Sequence, residues 1–445
     1  MSEGSGAKAE EGGSLRRVIT VRHAVAIYVS SVLGAGILVI PGLAARAAGA
    51  GSLIAWVFLS LASYPFAFTF SSLSARSPES GGIYAFAKEA FGPGVSTMTA
   101  WLFVAWVVLG APAITLAAGT YLAYALPISG PGVFAVAAGI IILAYAVNVR
   151  GIRLSGRVQV GLVAAMVGIL ALGVVASSPG IKVANFSPIL PADIATVGVA
   201  SALIVWSYLG YENVSNIAEE FKDPKRDFGR SVTFSVLLVS ALYLAVAFTV
   251  VGTGAYASGG GVTPFAEMMS NVFGPYGGVA VSLFAVVIIF STVNAYTAGM
   301  SRVVYAAAVD GSLPRFLAGV DPKTGVPRRA MIALFVLIML GLVIFYFLHV
   351  DVQSAFLATS GAAVLTYVVG SAAGIRLLTK EVRSKRYFPW LSLIVSLAIL
   401  PFIGLLLAVS AVVAVIGFVY GHMVVRNHVE LNRAISNIAS SDSQD

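Results

Sequence analysis

Val32-Leu33-Gly34-Ala35-Gly36-Ile37 and Val205-Trp206-Ser207-Tyr208-Leu209-Gly210-Tyr211-Glu212-Asn213 decide how this chain is read. Each stretch lies in a segment otherwise apolar enough to cross a bilayer, and each carries glycine in its middle. A helix interior loses roughly 1 kcal/mol when glycine stands in place of alanine. The second stretch also holds an acid, Glu212. An ionisable side chain at membrane depth is costly and reads as functional. Glycine-interrupted apolar segments at corresponding places in two halves of one chain point to the binding site of a secondary transporter.

The chemistry of a break explains its use. An unwound turn frees backbone N–H and C=O groups that hydrocarbon cannot satisfy, so it persists only where protein, water or a solute supplies partners. A half-helix N-terminus offers donors and a positive dipole end to a carboxylate, and a C-terminus offers carbonyls to an ammonium group. A zwitterionic amino acid meets both needs. The competing reading of Gly34, Ala35 and Gly36 is close helix packing. Their place in the first span, the following Pro41-Gly42 that should disturb the same helix, and the acid in the counterpart segment favour a site.

Working outward, 58% of the 445 residues are hydrophobic and 10% are charged, against roughly 25% charged in soluble domains. The first 14 residues have the composition of a disordered tail and no signal-peptide core. Apolar runs predict spans over 21–44, 48–75, 94–125, 132–149, 157–178, 194–219, 231–256, 277–308, 329–349, 352–377, 388–403 and 404–425. Loops on one side carry Arg16, Arg17, Arg22, Arg76, Lys88, Arg150, Arg153, Arg157, Lys222, Lys225, Arg226 and most later cations. The other side has only Arg46 and Lys182. This asymmetry places both termini in the cytoplasm. It also accounts for the net charge of +8 without nucleic acid. With no cysteine there is no disulfide, so no disulfide-linked subunit, and no thiolate metal site. The four histidines are scattered, so neither a metal nor another cofactor is expected.

Spans 1–5 and 6–10 each open with a glycine-marked segment. Because five is odd, the second set re-enters the membrane inverted. The expected class is therefore an all-α polytopic membrane protein with twelve transmembrane helices. Its parts are a tail over 1–15, a first repeat over 16–178, an inverted second repeat over 194–378, two further spans over 388–425 and a cytoplasmic tail over 426–445.

Four stretches then resemble the amino acid–polyamine–organocation transporters, which have a LeuT-like fold. They are Gly34-Ala35-Gly36-Ile37 with Pro41-Gly42; Pro78-Glu79-Ser80-Gly81-Gly82-Ile83-Tyr84 with Phe91-Gly92-Pro93-Gly94; Trp206 to Glu212 with Glu219-Glu220 and Asp223-Pro224-Lys225-Arg226; and Ser301-Arg302 with Asp310-Gly311-Ser312-Leu313-Pro314. The resemblance covers roughly residues 16–427. It implies that N–H groups of Ala35, Gly36 and Ile37 hold a substrate carboxylate, and that carbonyls of Val32, Trp206 and Leu209 hold its ammonium group. It also implies that Trp206 and Tyr296 are aromatic walls or gates, against the alternative of ordinary packing.

Coupling stays open. Glu212 reads either as a proton acceptor or as a structural hydrogen-bonding residue. Arg302 reads as a cytoplasmic gate partner of Glu219 or Glu220, or as a solvated loop-end charge. Many members of the family carry a lysine within span 5, where this chain aligns Met166, which cannot take up a proton. Ser291 and Thr292 offer hydroxyls for a candidate sodium site, or simply bond their own helix. The expected function is alternating-access transport of an amino acid across the cell membrane, proton-coupled or exchanging. The alternatives are a sodium-coupled symporter, a polyamine or amine carrier, and a substrate-sensing receptor. A polyamine would want more acid in its pocket than Glu212 alone. No nucleophile with a base is present, so no enzyme is expected.

Overall fold

A continuous apolar run satisfies its own backbone in hydrocarbon only as a helix, and the chain is built that way. A computed structural model describes residues 32–76, 82–128, 130–151, 156–210, 224–321, 324–378 and 386–423, with Val21, Val25 and Val29. The helices are α1 (Ile40–Ala48), α2 (Ser52–Arg76), α3 (Ile83–Phe91), α4 (Pro93–Ala125), α5 (Gly130–Val149), α6 (Gly156–Ser177) and α7 (Ala195–Ile204). They continue as α8 (Pro224–Thr253), α9 (Pro264–Phe273), α10 (Pro275–Val309), α11 (Arg328–Phe347), α12 (Val352–Leu378) and α13 (Tyr387–Ile399), with α14 over 407–423. No strand occurs among the described residues. Nine apolar helical stretches among them are long enough to cross a bilayer. The last of these, Tyr387–Met423, is interrupted at Gly404 (φ 67°, ψ −147°), where the boundary between two spans was expected.

Both glycine-marked segments are broken. In the first, Gly34 is extended (φ −85°, ψ −178°) and leads into a 3-10 turn over Ala35–Leu38. In the second, α7 passes into a 3-10 turn over Val205–Tyr208, Leu209 is extended, and Gly210 has φ 122°. Pro41 does not disturb its helix as expected. It sits in the first turn of α1, where its missing N–H has no partner to lose.

Two short helices lie outside the expected spans. They share a corner: α3 ends in Phe91-Gly92-Pro93 and α9 ends in Phe273-Gly274-Pro275. Gly92 (φ 87°) and Gly274 (φ 71°) take a left-handed turn, and a proline starts the next long helix. That conformation needs glycine. Each short helix buries one face, such as Ile83, Phe86 and Ala90 of α3, which is too short a signal to stand out as a span.

Helix α4 is central. It packs against α5, α10, α11 and α12, and 78% of its apolar stretch is buried, against 17% for Tyr387–Met423. The outer helices present Leu172, Val175, Leu237, Leu340 and Val412 outward, an apolar surface suited to lipid.

Tyrosine hydroxyls tie down the breaks. Tyr243 of α8 is fully buried, and its hydroxyl lies 2.9 Å from both the Val32 and the Ser207 carbonyls, donating its one proton between them. Tyr121 of α4 donates to the Leu38 carbonyl at 2.6 Å. Tyr208 pairs with the Ser60 hydroxyl at 2.6 Å and meets Trp56 and Tyr243 edge-on or tilted. Leaving a buried backbone group without its partner costs about 1–3 kcal/mol. Tyr243→Phe is therefore expected to lower stability by about that amount, seen as a lower melting temperature in detergent. An unchanged melting temperature would refute the bridging role.

Candidate substrate site

The two breaks face one another across a cleft. Val32, Gly34, Ala35 and Gly36 from the first break, Trp206, Ser207 and Leu209 from the second, Trp106 and Ile114 of α4, and Thr292 and Tyr296 of α10 line it. It holds about 390 Å³ of empty space, its open mouth included. Of the positions singled out from the sequence, Val32, Ala35, Gly36, Trp206, Leu209, Tyr296 and Thr292 meet here. Ile37 is fully buried beside the cleft wall rather than lining it, and Ser291 is half-buried and likewise outside the lining. Glu212, Glu219 and Glu220 lie outside the described residues.

The backbone at the cleft is unevenly supplied. Gly34 begins the 3-10 turn without a side chain to cap it, so the first N–H groups of that turn have no intrahelical acceptor. The Val32 carbonyl accepts from the Gly34 N–H at 2.7 Å as well as from Tyr243, which engages both of its lone pairs. The Trp206 carbonyl accepts a longer bond from the Leu209 N–H at 3.4 Å.

Trp206 is held between two glycines. A Cβ built on Gly36 would stand 2.8 Å from its Cδ1, and one built on Gly110 would stand 2.7 Å from its Cη2. Phe356 of α12 meets the indole edge-on at 5.2 Å. A second space of about 430 Å³, its open part included, adjoins the cleft and shares Trp106, Ile114, Trp206, Thr292 and Tyr296 with it. Val107, Gly110, Ala111, Val293, Thr297 and Ile338 complete it, and among the described residues no charged side chain lines either space. The α4 contribution was missed in the sequence. Its signal was the spacing of Trp106, Gly110 and Ile114 at four-residue intervals, which puts them on one helix face.

Hydroxyls that could hold a cation are already engaged in part. Thr292 donates to the Ile288 carbonyl at 3.0 Å, the local bond common to such residues in helices. Met166 is 1% exposed within the apolar core. No cluster of acidic, histidine or cysteine side chains suited to a metal occurs among the described residues.

Arg302 is exposed, and its candidate partners Glu219 and Glu220 lie outside the described residues; near it, at the end of α10, another pairing occurs. Asp310 accepts from Lys88 at 3.0 Å and from the Tyr84 hydroxyl at 3.1 Å. The stretches beginning Gly82-Ile83-Tyr84 and Asp310-Gly311 thus meet through side chains. Arg76 bonds Glu89 at 3.0 Å and the Leu377 carbonyl at 2.9 Å, joining α2 to α3 and α12. These ion pairs are partly exposed, so each is worth only about 0–1 kcal/mol.

A family model described as amino acid permease matches residues 19–434. The chain is 30% identical over 421 residues to the uncharacterized amino acid permease YecA of Bacillus subtilis (strain 168), covering 93% of this chain and 99% of that one. It is 26% identical over 382 residues to the L-methionine/branched-chain amino acid exporter YjeH of Escherichia coli (strain K12), with 83% and 88% covered. The branched-chain amino acid permease BcaP of Bacillus subtilis (strain 168) is 26% identical over 336 residues, with 71% and 72% covered.

Because Gly110 leaves the slot that Trp206 fills, Gly110→Ala is expected to overpack it at a cost of about 1–3 kcal/mol. Substrate binding should weaken with the displaced indole. Melting temperature and equilibrium binding read the two effects, and wild-type values for both would show that the indole is not confined.

Proposed function

The chain belongs to the amino acid permease family of the amino acid–polyamine–organocation superfamily, and we propose that it carries neutral, apolar amino acids by alternating access. It is a multi-pass membrane protein and a transporter rather than an enzyme. The observation that carries the substrate proposal is the second cavity beside Trp206, whose described lining is apolar and uncharged. A cationic or acidic side chain placed there would be desolvated with no charged partner among the described lining residues, which is costly. A branched or thioether side chain gains from the same burial. Relatives named for methionine or branched-chain substrates agree with this reading. In it, the N–H groups of Ala35, Gly36 and Ile37 receive the carboxylate. The carbonyls of Val32, Trp206 and Leu209 face the ammonium group, with Val32 the weakest of them because its lone pairs are engaged.

The architecture behind this is twelve spans with an inverted five-span repeat and two added helices. Support comes from the pairing of equivalent helices, since α1 packs beside α7, α2 beside α8, α4 beside α10 and α5 beside α11. The repeated Phe-Gly-Pro corner after α3 and α9 points the same way. Both termini are assigned to the cytoplasm of a cell-membrane protein on the distribution of Lys and Arg.

Transport is sodium-independent in this proposal. The Thr292 hydroxyl spends its proton on its own helix and keeps only its oxygen lone pairs for a cation, Ser291 lies outside the cleft lining and so adds no second hydroxyl, and Met166 offers no titratable group. That leaves Glu212 for proton linkage, with exchange as the alternative.

Uptake into proteoliposomes tests the reading. Leucine, isoleucine and methionine should enter without sodium, while arginine and putrescine should not. Preference for arginine, or binding without any uptake, would overturn it. Thr292→Val should leave uptake near wild type, and a strict sodium requirement abolished by this substitution would restore the sodium site. Glu212→Gln should remove stimulation by a proton gradient and spare exchange of internal for external substrate. Stimulation that survives would leave Glu212 a structural residue.

A further inference from the structure

Ser207 is 2% exposed and belongs to the cleft lining. Its hydroxyl is buried without a hydrogen-bond partner among the described residues. Many hydroxyls on these helices bond a carbonyl of the preceding turn, as Ser235, Thr359 and Thr366 do; of the several buried serines without a partner among the described residues, Ser207 is the one that lines the cleft. Ser207 lies in the 3-10 turn of the second break. Its own carbonyl is held by Tyr243, which fixes the backbone. The Oγ stands 3.6 Å from the point where a Cβ on Gly36 would be, so it borders the first break as well. An unpaired hydroxyl in such a place is costly unless something completes it.

We propose that Ser207 is a side-chain donor to the substrate carboxylate, adding its O–H to the backbone N–H groups of the first break. This rests on the amino acid reading above and deepens it. The glycine at position 36 lets the hydroxyl approach the turn, because any side chain there would first meet Trp206. The carboxylate is the matching group because a hydroxyl beside backbone N–H donors completes a set that favours negative charge. The apolar side chain of the substrate then lies away from Ser207, toward α4 and Ile338.

The test compares leucine with leucinamide, which keeps the ammonium group and the side chain but lacks the carboxylate. Their affinities are measured by competition against labelled leucine on purified wild-type protein, Ser207→Ala and Ser207→Thr. A hydrogen bond to a charged group is worth about tenfold to a hundredfold in affinity. Ser207→Ala should lose that much for leucine and little for leucinamide, Ser207→Thr should retain most of it, and the melting temperature without ligand should not fall. Equal losses for both ligands, or wild-type leucine affinity in Ser207→Ala, would overturn the assignment. If Ser207→Ala does not fold, Ser207→Thr decides, since loss of leucine affinity in that folded variant also overturns it. If wild-type protein itself binds no amino acid, the substrate reading fails first and this assignment falls with it.

Discussion

Everything in this protein depends on two short pieces of backbone that leave the helix inside an apolar body. Hydrocarbon offers them nothing, so the fold must supply donors and acceptors from elsewhere. Tyr243 and Tyr121 do much of this, each reaching from a neighbouring helix to a carbonyl that unwinding has freed. One proton of Tyr243 serves carbonyls from both breaks, so the two half-sites are fixed relative to each other by a single side chain. What those tyrosines leave unfilled is what the proposed substrate would meet.

The aromatic wall follows from the same geometry. Trp206 stands at the second break and lies across the first because Gly36 and Gly110 leave room for it. The indole thereby lines both the cleft, where backbone of the two breaks is exposed, and the adjoining apolar cavity. An amphipathic solute with a charged head and an apolar tail matches that pairing. In the proposed reading the substrate class follows less from any one contact than from the uncharged lining that the described residues of α4, α10 and α11 give the second space.

Farther from the site, the joins between helices are polar but weak. Lys88, Tyr84 and Asp310 bring the entry to α4 and the exit of α10 together, and Arg76 links α2 to α3 and α12. Pairs of this strength are compatible with the proposed alternating-access cycle, because about 1 kcal/mol or less is lost when each opens.

The helices and the place of the breaks were legible in the sequence. Long uncharged runs can only be helices in a bilayer, and Gly34-Ala35-Gly36 and Leu209-Gly210 mark where such a helix ends early. Val32, Ala35, Gly36, Trp206, Leu209, Thr292 and Tyr296 could be named because they sit on or beside those marks, or at matching positions of a familiar pattern. The short helices α3 and α9 were not seen, since nine or ten amphipathic residues give no span signal, and Pro41 was read as a disruption when it is a helix start. Only the tertiary structure revealed that Trp106, Gly110, Ile114 and Ile338 close the site, that Tyr243 bridges the breaks and that the hydroxyl of Ser207 is unpaired. Such facts depend on which helices lie side by side and how closely, and periodicity along one chain carries no record of its neighbours.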